Sequence, residues 1–274
     1  MDTRTNADLL VLLPHVVDAV TTAATHLTSN FSPDLRSPAT RDGIIAGFAA
    51  LDTPVEEHLR RELTRLRPTA GWDGDEFGTA PLPPGEFWVV DPVDGVVHYT
   101  HGLPYWSVSV ALVRDGVPVL AVVHAPPLGR TYTAVAGHGA TVDGAPSAKT
   151  EPGAALSATS LGSDPAGDPE STRRAGLSLA AVAPHVLVVR NLGPTSVQVA
   201  DVAAGRLDAF WLYGRTRDLL TGALLVREAG GTVTDTAGRP WTDRSDSFLA
   251  TAPGLHQGFV SLLSTVDAPP TTSA

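Results

Sequence analysis

Asp91 and Asp94 are the residues of this 274-residue sequence best placed to do chemistry. They sit in the stretch Asp91-Pro-Val-Asp94-Gly95, directly after the apolar run Phe87–Val90. A hydrophobic strand thus delivers two carboxylates, three residues apart, onto a turn containing proline and glycine. Pro92 fixes one backbone dihedral, and Gly95 permits close backbone approach. Both carboxylates can then face one pocket, where a cation relieves their repulsion. The alternative is a turn in which the two aspartates only cap the backbone. Two further acidic features bear on that choice. Gly74-Asp75-Glu76 lies upstream in a loop, and Asp218 opens a helix, with Gly230-Gly231 following after eleven intervening residues. Asp218 read alone is a helix N-cap.

Composition removes other chemistries. There is no cysteine, which excludes disulfides, thiolate metal sites, iron–sulfur clusters and cysteine nucleophiles. Asp+Glu total 29 against 19 Lys+Arg, a net charge of −10. Such a chain repels nucleic acid and anionic lipid, so neither is expected as a partner. It also repels phosphorylated metabolites unless bound cations reverse the local sign. The N-terminal region carries Asp2, Arg4, Asp8, His15 and Asp18 among apolar positions. That is an amphipathic helix without the apolar core of a signal peptide. No run approaches 18 consecutive apolar residues, so no membrane span is expected and the cytoplasm is the expected compartment. Lys149 is the only lysine, an arginine bias that points to a GC-rich bacterial genome.

The elements that must position these carboxylates follow from periodicity. Leu9, Leu10, Leu13, Val16, Val17, Val20 and Ala24 recur at helical spacing over 6–28, and Val55, Leu59, Leu63 and Leu66 mark a second helix over 43–67 that Pro68 ends. Residues 69–86 read as loop. Strand-like runs follow at Trp106–Val113, Val117–His124 and Arg130–Val135, with Asp115-Gly116 as a hairpin signal. The second half alternates. Strands are expected at 156–161, 185–189, 207–212, 232–236 and 248–251, and helices at 168–181, 195–204, 218–229 and 255–265. This gives an α/β fold of the α+β kind. Residues 1–150 form an N-terminal half of helices and antiparallel sheet that carries most of the acidic candidates. Residues 151–267 form an α/β half that closes the site, and 268–274 are expected to be a disordered tail.

Taken together, Asp52, Gly74-Asp75-Glu76, Asp91-Pro-Val-Asp94-Gly95 and Asp218 with its Gly230-Gly231 resemble the inositol monophosphatase family, which is magnesium-dependent and lithium-sensitive. His101-Gly102-Leu-Pro104, Val202-Ala-Ala-Gly-Arg-Leu-Asp208 and Glu228-Ala-Gly-Gly231 support the resemblance, which runs from about residue 43 to 265. It implies a layered αβαβα sandwich, a homodimer, two or three Mg²⁺ ions, and a small phosphorylated metabolite as substrate. It places Asp75, Asp91 and the Val93 carbonyl on a first ion, and Asp91, Asp94 and Asp218 on a second. It also implies that the backbone N–H groups of Gly95 and Val96 hold the phosphate, and that Asp52 helps to activate the attacking water.

The sequence departs from that family where the nucleophile is made. Val96 stands in place of a Thr or Ser, and Ala49 in place of a Thr, so two hydroxyls near Asp52 are lost together. Asp75 replaces a Glu, with shorter reach. His98 replaces an Asn and is a candidate base. Arg217 replaces a Trp and could pair with Asp218 or a substrate anion. Gly193-Pro194-Thr195-Ser196 replaces a Gly-Ser/Thr-Ala-Ala motif, so Gly193 and Thr195 join the candidate substrate contacts. The acidic residue that often contacts inositol in the family falls near Leu212, which together with Trp211 and Tyr213 suggests a larger or more apolar substrate; the alternative for Trp211 and Tyr213 is core packing of a strand. The expected function is a two-metal phosphatase with altered water activation, acting on something other than inositol phosphate. A metal-dependent elimination or cyclisation in specialised bacterial biosynthesis stands as one alternative, and a non-catalytic binding protein as the other.

Overall fold

The computed structural model describes residues 6–36, 40–73, 80–147, 157–161 and 168–266. The expected disordered tail, 268–274, lies outside the described residues. Two long helices come first, α1 (Ala7–Asn30) and α2 (Arg41–Leu66). Seven strands follow: β1 (Gly71–Asp73), β2 (Glu86–Asp94), β3 (Ser107–Arg114), β4 (Val117–Ala125), β5 (Arg130–Val135), β6 (Ala140–Val142) and β7 (Ala145–Pro146). A short helix, α3 (Val96–Thr100), interrupts them after β2. The remainder alternates: β8 (Ser157–Leu161), α4 (Pro169–Val182), β9 (Val188–Arg190), α5 (Thr195–Ala203), β10 (Ala209–Tyr213), α6 (Leu219–Glu228), β11 (Thr232–Thr234), β12 (Ser247–Thr251) and α7 (His256–Leu263).

The strands form two sheets. The first runs β1 to β7 in sequence order, and the second runs β11-β12-β10-β8-β9. Helices α1 and α2 cover one face of the first sheet, and α5 and α6 lie between the sheets. Helices α4 and α7 cover the outer face of the second, so the chain is an αβαβα sandwich. The expected antiparallel hairpin forms at Asp115-Gly116, where both residues take positive φ, 51° and 76°. A two-residue loop with that backbone matches the twist of the strands it joins.

The first helix is long and apolar enough to cross a membrane by length and composition alone. Its role here is different. Leu9, Leu12, Val16, Val20 and Leu27 are buried along one face against the first sheet. Burial of each such side chain contributes roughly 1.5–3 kcal/mol, while its opposite face exposes Val11.

Two sequence expectations need correction. The segment expected to be loop contains β1, which pairs parallel to β2 with Asp73 opposite Val89. Three residues are too few for a periodic pattern. Trp211, a candidate substrate contact, and its neighbour Tyr213 follow the alternative reading, core packing of a strand. On β10, Phe210 and Leu212 point to the inner layer, and Ala209, Trp211 and Tyr213 point to the outer one. Trp211 is fully buried there, 6.0 Å from Phe259, and its indole N–H donates to Ser178 Oγ at 2.8 Å.

Candidate active site

Residues i and i+3 of a regular strand point to opposite faces, yet Asp91 and Asp94 share one. The register explains it: Asp91 pairs with Ser109 and Asp94 with Ser107, so three steps on β2 match two on β3. An irregularity of this kind absorbs one residue and returns the second carboxylate to the face of the first. Pro92 lies inside it, where a missing N–H removes nothing from the ladder. The Val93 amide donates to Asp91 Oδ1 at 3.0 Å and fixes that carboxylate over the turn. Both aspartates are only 7% exposed, and Val93 is buried between them.

Asp94 is held from the next layer. Its Oδ2 accepts from the Ser196 amide at 2.8 Å and from Ser107 Oγ at 3.4 Å. Ser196 is in the first turn of α5, where amides have no partner within the helix and the dipole favours an anion. The Thr195 amide, one residue earlier, also donates to this carboxylate. Burial and the nearby Asp218 charge raise Asp94 to about 7, against the opposing hydrogen bonds from Ser196 and Thr195.

Asp218 occupies the N-cap position of α6 but makes no capping hydrogen bond. Its Oδ2 instead accepts from Thr216 Oγ1 at 2.8 Å, and the residue is 4% exposed. The simple cap reading therefore does not account for it. Asp91, Asp94 and Asp218 are buried carboxylates, and the last two repel each other. Such groups suit a hard divalent cation bound through oxygen. Among the described residues no three acidic or imidazole groups make a ligand set on their own. Asp75, expected on the first ion, and its neighbour Glu76 lie outside the described residues.

Around this centre, two glycines let segments approach closely. Gly95 takes φ +92°, and a Cβ there would stand 2.8 Å from the Tyr105 carbonyl oxygen and 2.9 Å from Pro194 Cγ. Gly193 takes φ +117°, and a Cβ there would lie 2.6 Å from His98 Nε2. The start of α3 and the turn before α5 are thereby pressed together, which brings Gly95, His98, Gly193 and Thr195 to one side of Asp94. Gln198 fixes that turn: Oε1 accepts from the Leu192 amide at 3.1 Å, and Nε2 donates to the Gly193 carbonyl at 2.5 Å. His98 is half-buried, and burial followed by His101 lowers its pKa below the usual histidine value. It is a neutral imidazole at pH 7, able to accept a proton. Val96 is half-buried at the first position of α3 and packs against the core.

Asp52 lies on α2, which packs on β2. Partial burial and Glu56 one turn later raise it to about 6. Glu56 accepts from the Trp72 indole N–H at 3.0 Å, which ties this part of α2 to β1. Arg217, a candidate partner of Asp218 or of a substrate anion, turns its guanidinium to β1 and the residues after it. Its guanidinium is buried against Asp73 and the Ala80 carbonyl, so it is not presented to an incoming anion. Ser107, Thr216 and Gln198 support the site and were not singled out from sequence. Their roles depend on strand register and turn geometry, for which the sequence carries no local signal.

Similarity to known proteins agrees with this arrangement. The sequence profile of the inositol monophosphatase family matches residues 8–268. The inositol-1-monophosphatase of Rhizobium meliloti is 35% identical over 235 residues, 83% of this chain and 86% of that protein. The inositol-1-monophosphatase ImpA of Mycolicibacterium smegmatis is 34% identical over 80% of each chain. The solved inositol monophosphatase of Anabaena superposes with a TM-score of 0.81 over 98% of this chain and all of that one, at 24% identity, a likeness of fold. The chain belongs to the inositol monophosphatase family, and with it to the phosphoric monoester hydrolases.

Proposed function

We propose that the protein is a Mg²⁺-dependent phosphatase for a small phosphorylated metabolite other than inositol phosphate, with altered activation of the attacking water. The observation that carries this is the same-face pair Asp91 and Asp94, with the Asp218 charge near enough to raise Asp94. Carboxylates kept buried against their own repulsion serve a bound cation. Asp75, Asp91, the Val93 carbonyl, Asp94 and Asp218 would hold two or three Mg²⁺ ions, which would supply positive charge to the phosphate and the leaving oxygen.

The remaining steps belong to the chain's own residues. The amides of Gly95 and Val96 orient the phosphate, and Gly193 and Thr195 border the substrate's organic part. Asp52 and His98 are the groups able to take the proton of the attacking water as its oxygen bonds to phosphorus. The ester P–O bond then breaks, and the alcohol leaves with a proton. The Val96 side chain contributes neither donor nor acceptor to the activation of the water, so hydrolysis is slow relative to relatives that keep the hydroxyl. Leu212, apolar and facing the inner layer, offers no partner to a polyol hydroxyl, which argues for a less polar substrate. The family resemblance supports a homodimer in the cytoplasm, with halves 1–150 and 151–267 meeting at the site.

Phosphate release from a panel of monoesters that includes inositol 1-phosphate, with and without Mg²⁺, tests this reading. Wild type is expected to release phosphate only with Mg²⁺, and to prefer a substrate other than inositol 1-phosphate. Val96→Thr is expected to be faster by about 10²-fold, the low end of what assisted proton transfer contributes. Silence in wild type with activity in Val96→Thr would replace hydrolysis by a reaction such as elimination or cyclisation. Silence in both would overturn the phosphatase reading.

A further inference from the structure

Gln198 is 1% exposed and sits at the fourth position of α5. Its side chain reaches back over the helix start to the turn before it. Oε1 accepts from the Leu192 amide and Nε2 donates to the Gly193 carbonyl, so one side-chain amide grips both ends of the Leu192-Gly193 dipeptide. The Gln198 backbone amide adds a bond to the Pro194 carbonyl at 3.2 Å. Pro194, the N-cap residue, makes no side-chain cap of its own. On the other side of this turn lies the His98 ring. A Cβ on Gly193 would stand 2.6, 2.7 and 3.1 Å from its Nε2, Cε1 and Cδ2. The His98 main chain is fixed separately, because its carbonyl accepts from the His101 and Leu103 amides at 3.1 and 2.9 Å.

We propose that Gln198 is a positioning residue that holds the His98 imidazole where it takes the proton of the attacking water. This rests on the reading of His98 as a group that takes that proton.

The geometry gives Gln198 that role for three reasons. With the His98 main chain held in α3, the ring keeps only its two side-chain torsions, and the wall formed by Gly193 restricts both. That wall is only as firm as its turn. Gly193 holds φ +117°, and glycine has more backbone freedom than any other residue. A planar amide that donates in one direction and accepts in the other removes that freedom, which an apolar side chain of equal length cannot do. Finally, Gln198 shares its helix with Ser196, whose amide donates to Asp94. The turn, and the ring against it, are therefore placed in the same frame as the acidic centre. Misplacing a reacting group by about 1 Å can cost about 10²-fold in rate.

The test is turnover of p-nitrophenyl phosphate by the whole protein in saturating Mg²⁺. Its phenolate leaves without needing a proton, so the rate reports the attack of water. Gln198→Met keeps the length of the side chain and removes both of its bonds. It is expected to keep wild-type circular dichroism, to lower kcat about tenfold and to change KM less than twofold. In a His98→Asn background, which has no imidazole to misplace, the same substitution is expected to lower kcat less than twofold further. A second readout needs neither metal nor substrate. The ring signal of His98 in the NMR spectrum, identified by its loss in His98→Asn, is expected to shift in Gln198→Met while those of His15 and His26 hold still. Should Gln198→Met not fold, Gln198→Glu, which keeps an acceptor for the Leu192 amide, carries the same comparisons. Wild-type kcat in the folded variant, a change confined to KM, an undiminished loss in the His98→Asn background, or wild-type kcat in His98→Asn itself would overturn the proposal and leave the phosphatase reading intact. No release of phosphate by wild type would overturn hydrolysis as the reaction, and the proposal with it.

Discussion

A buried carboxylate raised to about 7 makes the protein's stability depend on pH. Asp94 titrates near 3.8 in the unfolded chain and near 7 in the folded, metal-free protein, because burial and Asp218 disfavour its charge. The folded state thus holds a proton that the unfolded state has lost. The stabilisation is complete below about pH 4 and is lost as pH rises through about 7. In EDTA, wild type is expected to lose stability over that window relative to Asp94→Asn, which stays neutral throughout. Urea denaturation at pH 4, 5.5, 7 and 8 measures the gap, which should widen up to pH 7 and then level off. A gap that does not change with pH would mean that neither burial nor Asp218 raises Asp94 in the folded protein. The same residue shows why sequence alone points to the site without defining it. The types and spacing of Asp91, Asp94 and Asp218 were legible, because few folds need that set. The bonds that hold Asp94 Oδ2 come from Ser107 and Ser196, which lie 13 and 102 residues further along the chain.

At the scale of elements, the site depends on where regular structure is broken. Strand β2 carries its aspartates to one face only because of the irregularity around Pro92. The sequence suggested a turn there, since Pro and Gly are turn signals, and the structure continues the strand to Asp94. The long helices and the apolar strands were legible because each repeats its period several times. Strands β1, β6 and β7, of two or three residues, were not, since each lies in a stretch rich in Gly, Pro and acidic residues that reads as turn. Gly95 is the second break. It holds φ +92° between β2 and α3, facing a carbonyl that cannot yield without moving the Tyr105 backbone. Gly95→Ala combines a conformation that L residues rarely adopt with that clash. It is expected to destabilise by about 2–3 kcal/mol, lowering Tm by roughly 4–12 °C for a chain near this size. Thermal denaturation in EDTA measures it apart from any effect on cation binding. A Tm within 1 °C or so of wild type would show that the α3 entry relaxes freely.

For the whole molecule, the carboxylates are supplied by different layers, and this decides what a cation does to stability. Asp91 and Asp94 belong to the first sheet, and Asp218 begins a helix between the sheets. The unfolded chain does not hold these layers together, so the cation of the proposed site, bound to all of them, would stabilise only the folded state. At a concentration one hundred times its dissociation constant, a ligand of this kind adds about 2.7 kcal/mol. For a chain near this size that corresponds to a rise in Tm of roughly 5–11 °C. Proton binding opposes it. Below about pH 7 the folded, metal-free protein carries a proton on Asp94 that the cation must displace, so affinity falls by about tenfold per pH unit. Wild type in saturating Mg²⁺ at pH 8 is therefore expected to melt several degrees above the same protein in EDTA. At a fixed, subsaturating Mg²⁺ concentration the rise should shrink steadily between pH 7 and pH 5. Asp218→Asn should lose most of the rise at every pH, because it removes a ligand of the proposed site from one layer while leaving both sheets in place. An equal rise in wild type and Asp218→Asn would place the stabilising cation elsewhere on the protein and detach Asp218 from the site.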